Sequence, residues 1–350
     1  MRANSPGSHL TLTAMTAKSS GFRSSLSTPQ PMQDRSDPCF EQLVSKAFIR
    51  FESNLRDALP RTGPQILEFL HGAPPVLHPE VAWNSRSFPH YLLPYWLSPA
   101  RARALDREFQ TDVLYSTING SHSIRLCDNI ADNDGRPELR KVAPCAAYFV
   151  SEFVRPYMNY FSAGHEFWTF FDKFWAEQAE ASAADSFLSD IDYETFSSLS
   201  SRKFTATKIP IAAVRFRYEL DEKIERWFNF VDLVGIFAQF NNDFFDWSHD
   251  AQFGITTYIS SEARRRAPDD SLTTWFLREG FDWGAGALRS HLDNVKKEAT
   301  ALGNGAVVDW VIARVDALER DIVKARSELD RVKILGKLLS NQESDGDPHA

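Results

Sequence analysis

Apolar residues along most of the chain recur every three or four positions, which is the spacing of one face of an α-helix. The first such series comprises Leu43, Ala47, Phe48, Phe51, Leu55 and Leu59. We find no run in which apolar and polar residues alternate with period two, as they do in a half-buried strand. The pattern therefore predicts an all-α fold.

Helix signals divide this pattern into separate elements. Ser98 and Pro99 supply an N-cap residue and a proline at the first helical position, so we expect a long helix to begin there and to run toward Asp132. The other helices are expected at Cys39–Leu59, Lys141–Phe161, Gly164–Ala183, Asp190–Thr207, Glu219–Asp250, Trp283–Leu302 and Val307–Leu339. We find no internal repeat and no linker within the helical part, which favours a single domain.

The two ends of the chain differ in composition from the helical part. Residues 1–33 contain no Asp or Glu and only three basic residues, with many Ser, Thr and Pro, and such a segment cannot bury enough apolar surface to become ordered. We therefore predict a disordered tail over residues 1–37, one helical domain over 38–339 and a polar tail over 340–350. The composition of the first segment is also typical of an organellar transit peptide, but without an amphipathic arginine face the cytoplasm is favoured.

Composition and charge exclude several classes of protein. Of 350 residues, 43% are hydrophobic and 25% are charged, as in soluble globular proteins. With 39 basic and 47 acidic residues the net charge is −8, the wrong sign for a surface that follows nucleic-acid phosphates. No apolar run approaches the roughly 20 residues that span a bilayer. The three cysteines lack the spacing of a zinc or redox site.

Aromatic residues are unusually frequent, with 27 Phe, 9 Trp and 9 Tyr, and they are densest over residues 167–175. Large rings dominate the burial of apolar surface in protein cores, so most of these residues are expected to be core. A pocket lined to hold a cation would have the same composition. The sequence does not distinguish which rings would serve each purpose.

A first acidic cluster follows the predicted helix that begins at Ser98. Asp128 and Asp132 are four positions apart, so their carboxylates would lie side by side on one helix face. Two like charges in this position repel each other unless a cation lies between them. A solvated helix end is the alternative interpretation of this cluster.

A second acidic cluster lies at the C-terminal end of the helix predicted at Glu219–Asp250. Asn242, Asp246 and Asp250 are spaced by four, and Asp243 lies beside them. Because residues 227–238 are strongly apolar, we expect this stripe to lie inside a helical bundle. Buried carboxylates need a partner, and oxygen ligands favour Mg²⁺, which usually completes its coordination with substrate phosphate oxygens. The cluster therefore predicts a site for Mg²⁺ and a phosphorylated ligand.

The two clusters together resemble the motifs of a known family. Residues 128–134 (Asp-Asn-Ile-Ala-Asp-Asn-Asp) resemble the first aspartate-rich motif of trans-prenyl diphosphate synthases and class I terpene synthases. Residues 239–246 resemble the second aspartate-rich motif of the prenyl synthases, and the spacing of Asn242, Asp246 and Asp250 equals that of the second metal motif of terpene synthases. The resemblance covers residues 98–258 and, by helical pattern, most of the remaining domain.

This resemblance implies an isoprenoid synthase-like fold, a single-domain antiparallel helical barrel. Two acidic helices would face each other across a deep pocket and hold three Mg²⁺ ions on the diphosphate of an allylic prenyl substrate. The implied metal ligands are Asp128, Asp132, Asn242, Asp243, Asp246 and Asp250, among which Asp128, Asp132, Asn242 and Asp246 are the implied catalytic residues. Replacement of Asp128 or Asn242 by Ala is then expected to abolish turnover and to leave the helical fold intact.

Basic residues are also expected to bind the diphosphate. Lys203, in Lys203-Phe204-Thr205, resembles the Lys-Thr site of prenyl synthases, and Lys208 is a competing candidate. Arg136 follows the first cluster and is a third candidate. Each of these residues has an ordinary surface cation as its alternative interpretation. Residues 252–258 are a candidate closing loop over the pocket, since such lids exclude water.

A terpene synthase is the favoured activity within the family. Chain-extending prenyl synthases need a second diphosphate site, and its Gly-Lys-Arg motif has no equivalent in Trp83-Asn84-Ser85-Arg86. The sequence also departs from ordinary terpene synthases, because Asp246 replaces Ser or Thr and Asp250 replaces Glu. A trans-prenyl diphosphate synthase that condenses an allylic diphosphate with isopentenyl diphosphate therefore remains the alternative. Dimers are usual in both groups.

Three further classes are less favoured. Head-to-head condensing enzymes such as squalene and phytoene synthases share the fold but need two longer acidic motifs. A carboxylate-bridged di-iron bundle would use Asp246 and His249 at i and i+3, but no helix supplies a good second pair. In a helical binding protein the acidic faces would only be solvated, and Mg²⁺ with diphosphate would not stabilise the fold.

Overall fold

The computed structural model describes residues 37–72, 88–131, 142–185, 187–220 and 224–344. Within these residues helices are the regular secondary structure, and no strand occurs. The all-α prediction is confirmed for this part of the chain. None of the helices described is both long enough and apolar enough to cross a membrane.

Fourteen α-helices are formed by the described residues. They are α1 (Pro38–Ala58), α2 (Gly63–Gly72), α3 (Leu92–Leu97), α4 (Ala100–Leu105), α5 (Arg107–Ala131), α6 (Cys145–Val154), α7 (Phe167–Asp185), α8 (Tyr193–Arg202), α9 (Lys208–Tyr218), α10 (Ile224–Phe253), α11 (Tyr258–Arg266), α12 (Leu272–Trp275), α13 (Phe281–Leu302) and α14 (Gly305–Ser344). Two 3₁₀-helices, Arg155–Asn159 and Thr205–Thr207, and a π-helical turn, Phe276–Gly280, connect some of them.

Several of the predicted elements differ in the structure. The helix expected from Ser98 toward Asp132 is divided at Asp106, whose backbone leaves the helical region with φ −107° and ψ 50°. The Asp106 carboxylate accepts a hydrogen bond from Arg217 at 2.9 Å, which ties the break to α9. The final helix continues to Ser344, beyond the boundary predicted at residue 339.

The helices form two main packing groups. Helix α5 packs mainly on α1 and α6, whereas α10 packs mainly on α8 and α13. Rings fill both groups, and the fully buried ones include Phe109, Phe149, Phe153, Phe230, Phe237, Phe240 and Phe244. Burial of so much aromatic surface is the main stabilising contribution to the fold.

A buried polar network fixes α5 against α1. The Asp112 carboxylate on α5 forms an ion pair with Arg50 on α1 and accepts a hydrogen bond from the Tyr160 hydroxyl at 2.7 Å. One turn further on, the Tyr115 hydroxyl donates to Glu152 of α6 at 2.5 Å. Because these groups satisfy one another, burial of their charges is tolerated and the tilt of α5 is set.

Two glycines of α13 give a matched test of this packing. A Cβ atom at Gly284 would lie 2.5 Å from the buried Phe244 ring, whereas a Cβ atom at Gly286 would meet no atom within 4 Å. Gly284→Ala is expected to lower the free energy of unfolding by about 1–3 kcal/mol through overpacking. Gly286→Ala is expected to raise it by about 0.5–1 kcal/mol, because alanine restricts the unfolded chain. Urea denaturation of both variants measures this difference, and equal effects would contradict it.

Candidate functional site

The second acidic cluster lies on the last three turns of α10. Asp243 is buried with 5% of its surface exposed, and the Asp250 side chain is 13% exposed. Asn242 and Asp246, which we expected to lie inside the bundle, are exposed. The prediction of a buried Asn242–Asp246–Asp250 stripe is therefore wrong. Asp243 and Asp250 are seven positions apart, almost two full turns, so they share a face.

A close contact at Gly235, about two turns before the acidic residues of α10, holds this helix against the chain that precedes α9. A Cβ atom at Gly235 would lie 2.9 Å from the Phe204 ring, so the absence of a side chain lets that ring rest on the helix. Phe204 also stacks on Phe88, with ring centroids 4.6 Å apart. Phe204 directly follows Lys203, so this contact brings Lys203 toward the acidic turns of α10.

Burial changes the acidity of Asp243. Loss of hydration raises the pKa of its carboxyl to about 7, and the nearby Asp250 acts in the same direction. Two neighbours oppose the change, a hydrogen bond from Gln239 Nε2 at 2.8 Å and the positive charge of Lys203. A carboxyl in this state binds a proton or a metal cation readily near neutral pH.

The first acidic cluster lies at the end of α5. Asp128 is open to solvent on one side, but the protein around it removes enough water to raise its pKa. Lys203 and Arg125 act in the opposite direction, and Asp185 adds to the increase. The predicted metal ligand Asp132 and the predicted diphosphate ligand Arg136 lie outside the described residues.

Lys203 connects the two clusters. Its ammonium group forms an ion pair with Asp185 at 2.5 Å, and its side chain is only 16% exposed. The same positive charge opposes the rise in the pKa of Asp128 on α5 and of Asp243 on α10. Lys203 therefore interacts electrostatically with one carboxylate of each acidic helix, while its direct ion pair is with Asp185 of α7.

Lys208 is separated from this group of charges. Its ammonium group forms an ion pair with Asp232 at 2.7 Å and lies 5.6 Å from the Phe174 ring centroid and 5.7 Å from that of Phe228. Asp232 precedes Asp243 by eleven positions, which corresponds to about 16 Å along α10. The structure therefore does not bring Lys208 together with Lys203 as a second ligand of the same anion.

Three of the carboxylates lie at helix C-termini, where the backbone dipoles concentrate negative potential. Asp185 is the last residue of α7, while Asp128 and Asp250 lie three positions before the ends of α5 and α10. Lys203 is the C-cap residue of α8. The resulting concentration of negative potential is compensated in part by Lys203, and a divalent cation would compensate it further.

Large apolar side chains follow these acidic positions along the chain and remain exposed. Phe187 comes after Asp185, Ile130 after Asp128, and Phe253 and Ile255 after Asp250. The segment expected to be a closing loop is short: α10 ends at Phe253, Gly254 has φ +68°, and a capping box at Thr257 starts α11. Its proposed movement stays a prediction.

The donors at this site suit a hard divalent cation. Among the described residues, the acidic clusters offer mainly carboxylate and amide oxygens, as Mg²⁺ prefers, with the His249 imidazole 3.7 Å from Asp250. Mg²⁺ is commonly held by one or two protein carboxylates together with waters and phosphate oxygens. Within the described ranges, no three acidic, His or Cys side chains are already close enough to ligate one ion. The residues present thus fit a metal that binds together with an anionic ligand.

Two residues of the site were not found from the sequence. Asp185 belongs to no motif and comes from a third helix, so only the folded chain places it beside Lys203. Gln239 precedes Asp243 by four positions, and this spacing could have indicated their hydrogen bond.

Comparison of the sequence with models of known families and with curated proteins finds no match. The interpretation of the site therefore depends on its residues and geometry.

Proposed function

We propose that the protein is an Mg²⁺-dependent class I terpene synthase, which ionises an allylic prenyl diphosphate to a carbocation and releases diphosphate. The observation that supports this most directly is the position of Lys203, whose charge acts on the carboxylates of both acidic helices. A cation between two sets of carboxylates is the arrangement needed to bind Mg²⁺ and a diphosphate at one place.

In this proposal each residue of the site has a separate task. Asp128, Asp243 and Asp250 hold Mg²⁺, and Lys203 donates hydrogen bonds to the diphosphate oxygens. When bound, Mg²⁺ neutralises the charge that develops on the leaving diphosphate, so that the carbon–oxygen bond can break. Gln239 donates its hydrogen bond to Asp243 and keeps that carboxylate in place. The ring of Phe204, which directly follows Lys203, stacks on the ring of Phe88, and both are candidates for the apolar wall beside the carbocation.

The position of Lys208 supports a synthase with one diphosphate site. A chain extender needs cations for two diphosphates, and of the two lysines only Lys203 interacts with carboxylates of both acidic helices, whereas Lys208 pairs with Asp232. A terpene synthase needs one metal-bound diphosphate and one pocket for the hydrocarbon. A trans-prenyl diphosphate synthase is the alternative activity, and an assay with and without isopentenyl diphosphate distinguishes the two enzymes.

The direct test is incubation of the protein with Mg²⁺ and geranyl, farnesyl or geranylgeranyl diphosphate, each with and without isopentenyl diphosphate. We expect a hydrocarbon or terpene alcohol without isopentenyl diphosphate, detected by mass spectrometry. Asp128→Asn should form no product, whereas Cys127→Ser, a change of the neighbouring exposed side chain, should retain activity. A longer prenyl diphosphate formed only with isopentenyl diphosphate would identify a chain extender.

Ligand binding is expected to stabilise the fold. Mg²⁺ and inorganic pyrophosphate together, at about 100 times their dissociation constant, should add about 2.7 kcal/mol. In a domain of about 300 residues this corresponds to a rise in Tm of roughly 4 °C. Each ligand alone should give a much smaller shift, since Mg²⁺ relies on phosphate oxygens. A protein whose Tm does not respond to the pair would be a binding protein with solvated acidic faces.

A further inference from the structure

Asp185 already forms an ion pair with Lys203, the residue whose ammonium group would bind the diphosphate in the proposed reaction. Lys203 Nζ and Asp185 Oδ2 are 2.5 Å apart, and the two side chains are 16% and 36% exposed. An ammonium group has three N–H donors, so Asp185 does not block an incoming diphosphate oxygen, but it partly neutralises the charge that would attract that oxygen. Asp185 and a bound anion therefore compete for one ammonium group.

Neighbouring carboxylates carry the same charge as Asp185. Asp128 and Asp243 both interact with it as like charges, and it ends α7, where the helix dipole is negative. Lys203 opposes these repulsions at this position. Loss of Lys203 to another anion would therefore release Asp185 toward solvent, for which its side chain is already partly open.

The backbone at residues 189 and 191, which follow α7, is hydrogen-bonded to α11. The Ile191 N–H donates to Ser261 Oγ at 3.0 Å, and Arg265 donates to the Ile191 carbonyl at 2.6 Å. Arg264 donates to the Ser189 carbonyl at 2.8 Å. These bonds connect the segment after α7 to α11.

We propose that Asp185 is an internal counter-ion that positions Lys203 in the ligand-free protein and is displaced from it by the diphosphate group. This inference rests on the proposed function, because it assigns a competitor to the same anion site. It makes Asp185 a positioning residue and not a ligand of the metal. Its specific consequence is that removing the Asp185 charge strengthens anion binding.

The test is isothermal titration calorimetry with inorganic pyrophosphate at saturating Mg²⁺. Asp185→Asn keeps the size of the side chain and removes its charge, and it should tighten pyrophosphate binding by about threefold to tenfold. Asp185→Ala should act in the same direction. The KM for the allylic diphosphate should fall by the same factor with little change in kcat. The control is Asp190→Asn, which removes a nearby exposed charge that pairs with Arg265 instead.

A double-mutant cycle with Lys203→Met makes the inference specific. In the absence of the ammonium group, Asp185→Asn should no longer change pyrophosphate affinity. Unchanged or weaker binding in Asp185→Asn would overturn the inference and leave the proposed function standing, as would equal tightening in Asp190→Asn. Absence of pyrophosphate binding by the unaltered protein would instead overturn the proposed function, and the inference with it.

Discussion

Replacement of Asp243 by asparagine is expected to lower kcat/KM for the allylic diphosphate by about 10²–10³-fold. Asparagine has nearly the same shape and still accepts the hydrogen bond from Gln239, but it lacks the charge that would hold Mg²⁺. Steady-state kinetics at saturating Mg²⁺ measures the change. The comparison variant is Asn242→Ala. The family resemblance implies that this variant is inactive, but because the Asn242 side chain is exposed we expect it to be less affected than Asp243→Asn. An inactive Asn242→Ala beside an active Asp243→Asn would show that the other face of α10 forms the site.

The same variant should be more stable than the unaltered protein at high pH. The Asp243 pKa is about 7 in the folded state against 3.8 normally, so the folded protein retains a proton that the unfolded chain loses between these values. Stability therefore falls as the pH rises from about 4 to 7, and it stays lowered above that range. Asparagine cannot ionise, so it avoids up to about 4 kcal/mol of this loss.

Denaturation curves at about pH 4 and pH 8 in the presence of a chelator measure this effect. The two proteins should be nearly equal at the lower pH and should differ at the higher one. A variant that is less stable at both values would show that the buried carboxylate is stabilising. The combination of lost turnover and gained stability is expected of a residue retained for function.

Substitutions of the two lysines are expected to affect different properties: pyrophosphate affinity for Lys203 and stability for Lys208. Lys203→Met removes the ammonium group between the acidic helices and should weaken pyrophosphate binding by about tenfold to a hundredfold, with a similar loss of turnover. Lys208→Met leaves the Asp232 carboxylate without its ion pair in a largely apolar setting. That variant should lose about 1–3 kcal/mol of stability and keep its affinity for pyrophosphate.

Calorimetric titration and urea denaturation of both lysine variants separate these effects. Lys203→Arg serves as a control because it retains the positive charge, and it should recover part of the affinity. If Lys208→Met lost affinity and Lys203→Met kept it, the anion site would lie beside Asp232 and not between the acidic clusters. Similar losses of affinity in both variants would indicate that both lysines contact the anion.

The sequence pattern predicts the helices well where one face is apolar and the other polar. Helix α1 begins and ends within one residue of its predicted bounds. Helix α9 was missed because its residues from Lys208 to Val214 are all buried, so they show no amphipathic period. The break at Asp106 was missed because no Gly or Pro marks it, and contacts with Arg217 and Tyr218 stabilise it.

The sequence predicts which helices carry the acidic residues but not which of their faces turns inward. Residues spaced by four drift by about 40° at each step, so a stripe of three covers about 80° of the helix surface. The buried rings of Phe240 and Phe244 decide which face of α10 turns inward. At about 100° per residue these rings lie on the side of the helix next to Asp243 and roughly opposite Asn242. Contacts from other helices, such as Asp185 with Lys203, depend on packing and leave no local pattern in the chain.

Helix α5 connects the buried network at Asp112 with the candidate site at Asp128. The sixteen residues between them form a continuous helix of about 24 Å. The network therefore controls the position of Asp128, because a tilt of α5 by roughly 2–3° at Asp112 displaces Asp128 by about 1 Å. A displacement of that size in an active site costs about a hundredfold in rate. In the proposed enzyme, Arg50, which pairs with Asp112, would therefore influence the geometry of the site although it contacts none of the acidic residues proposed to bind Mg²⁺.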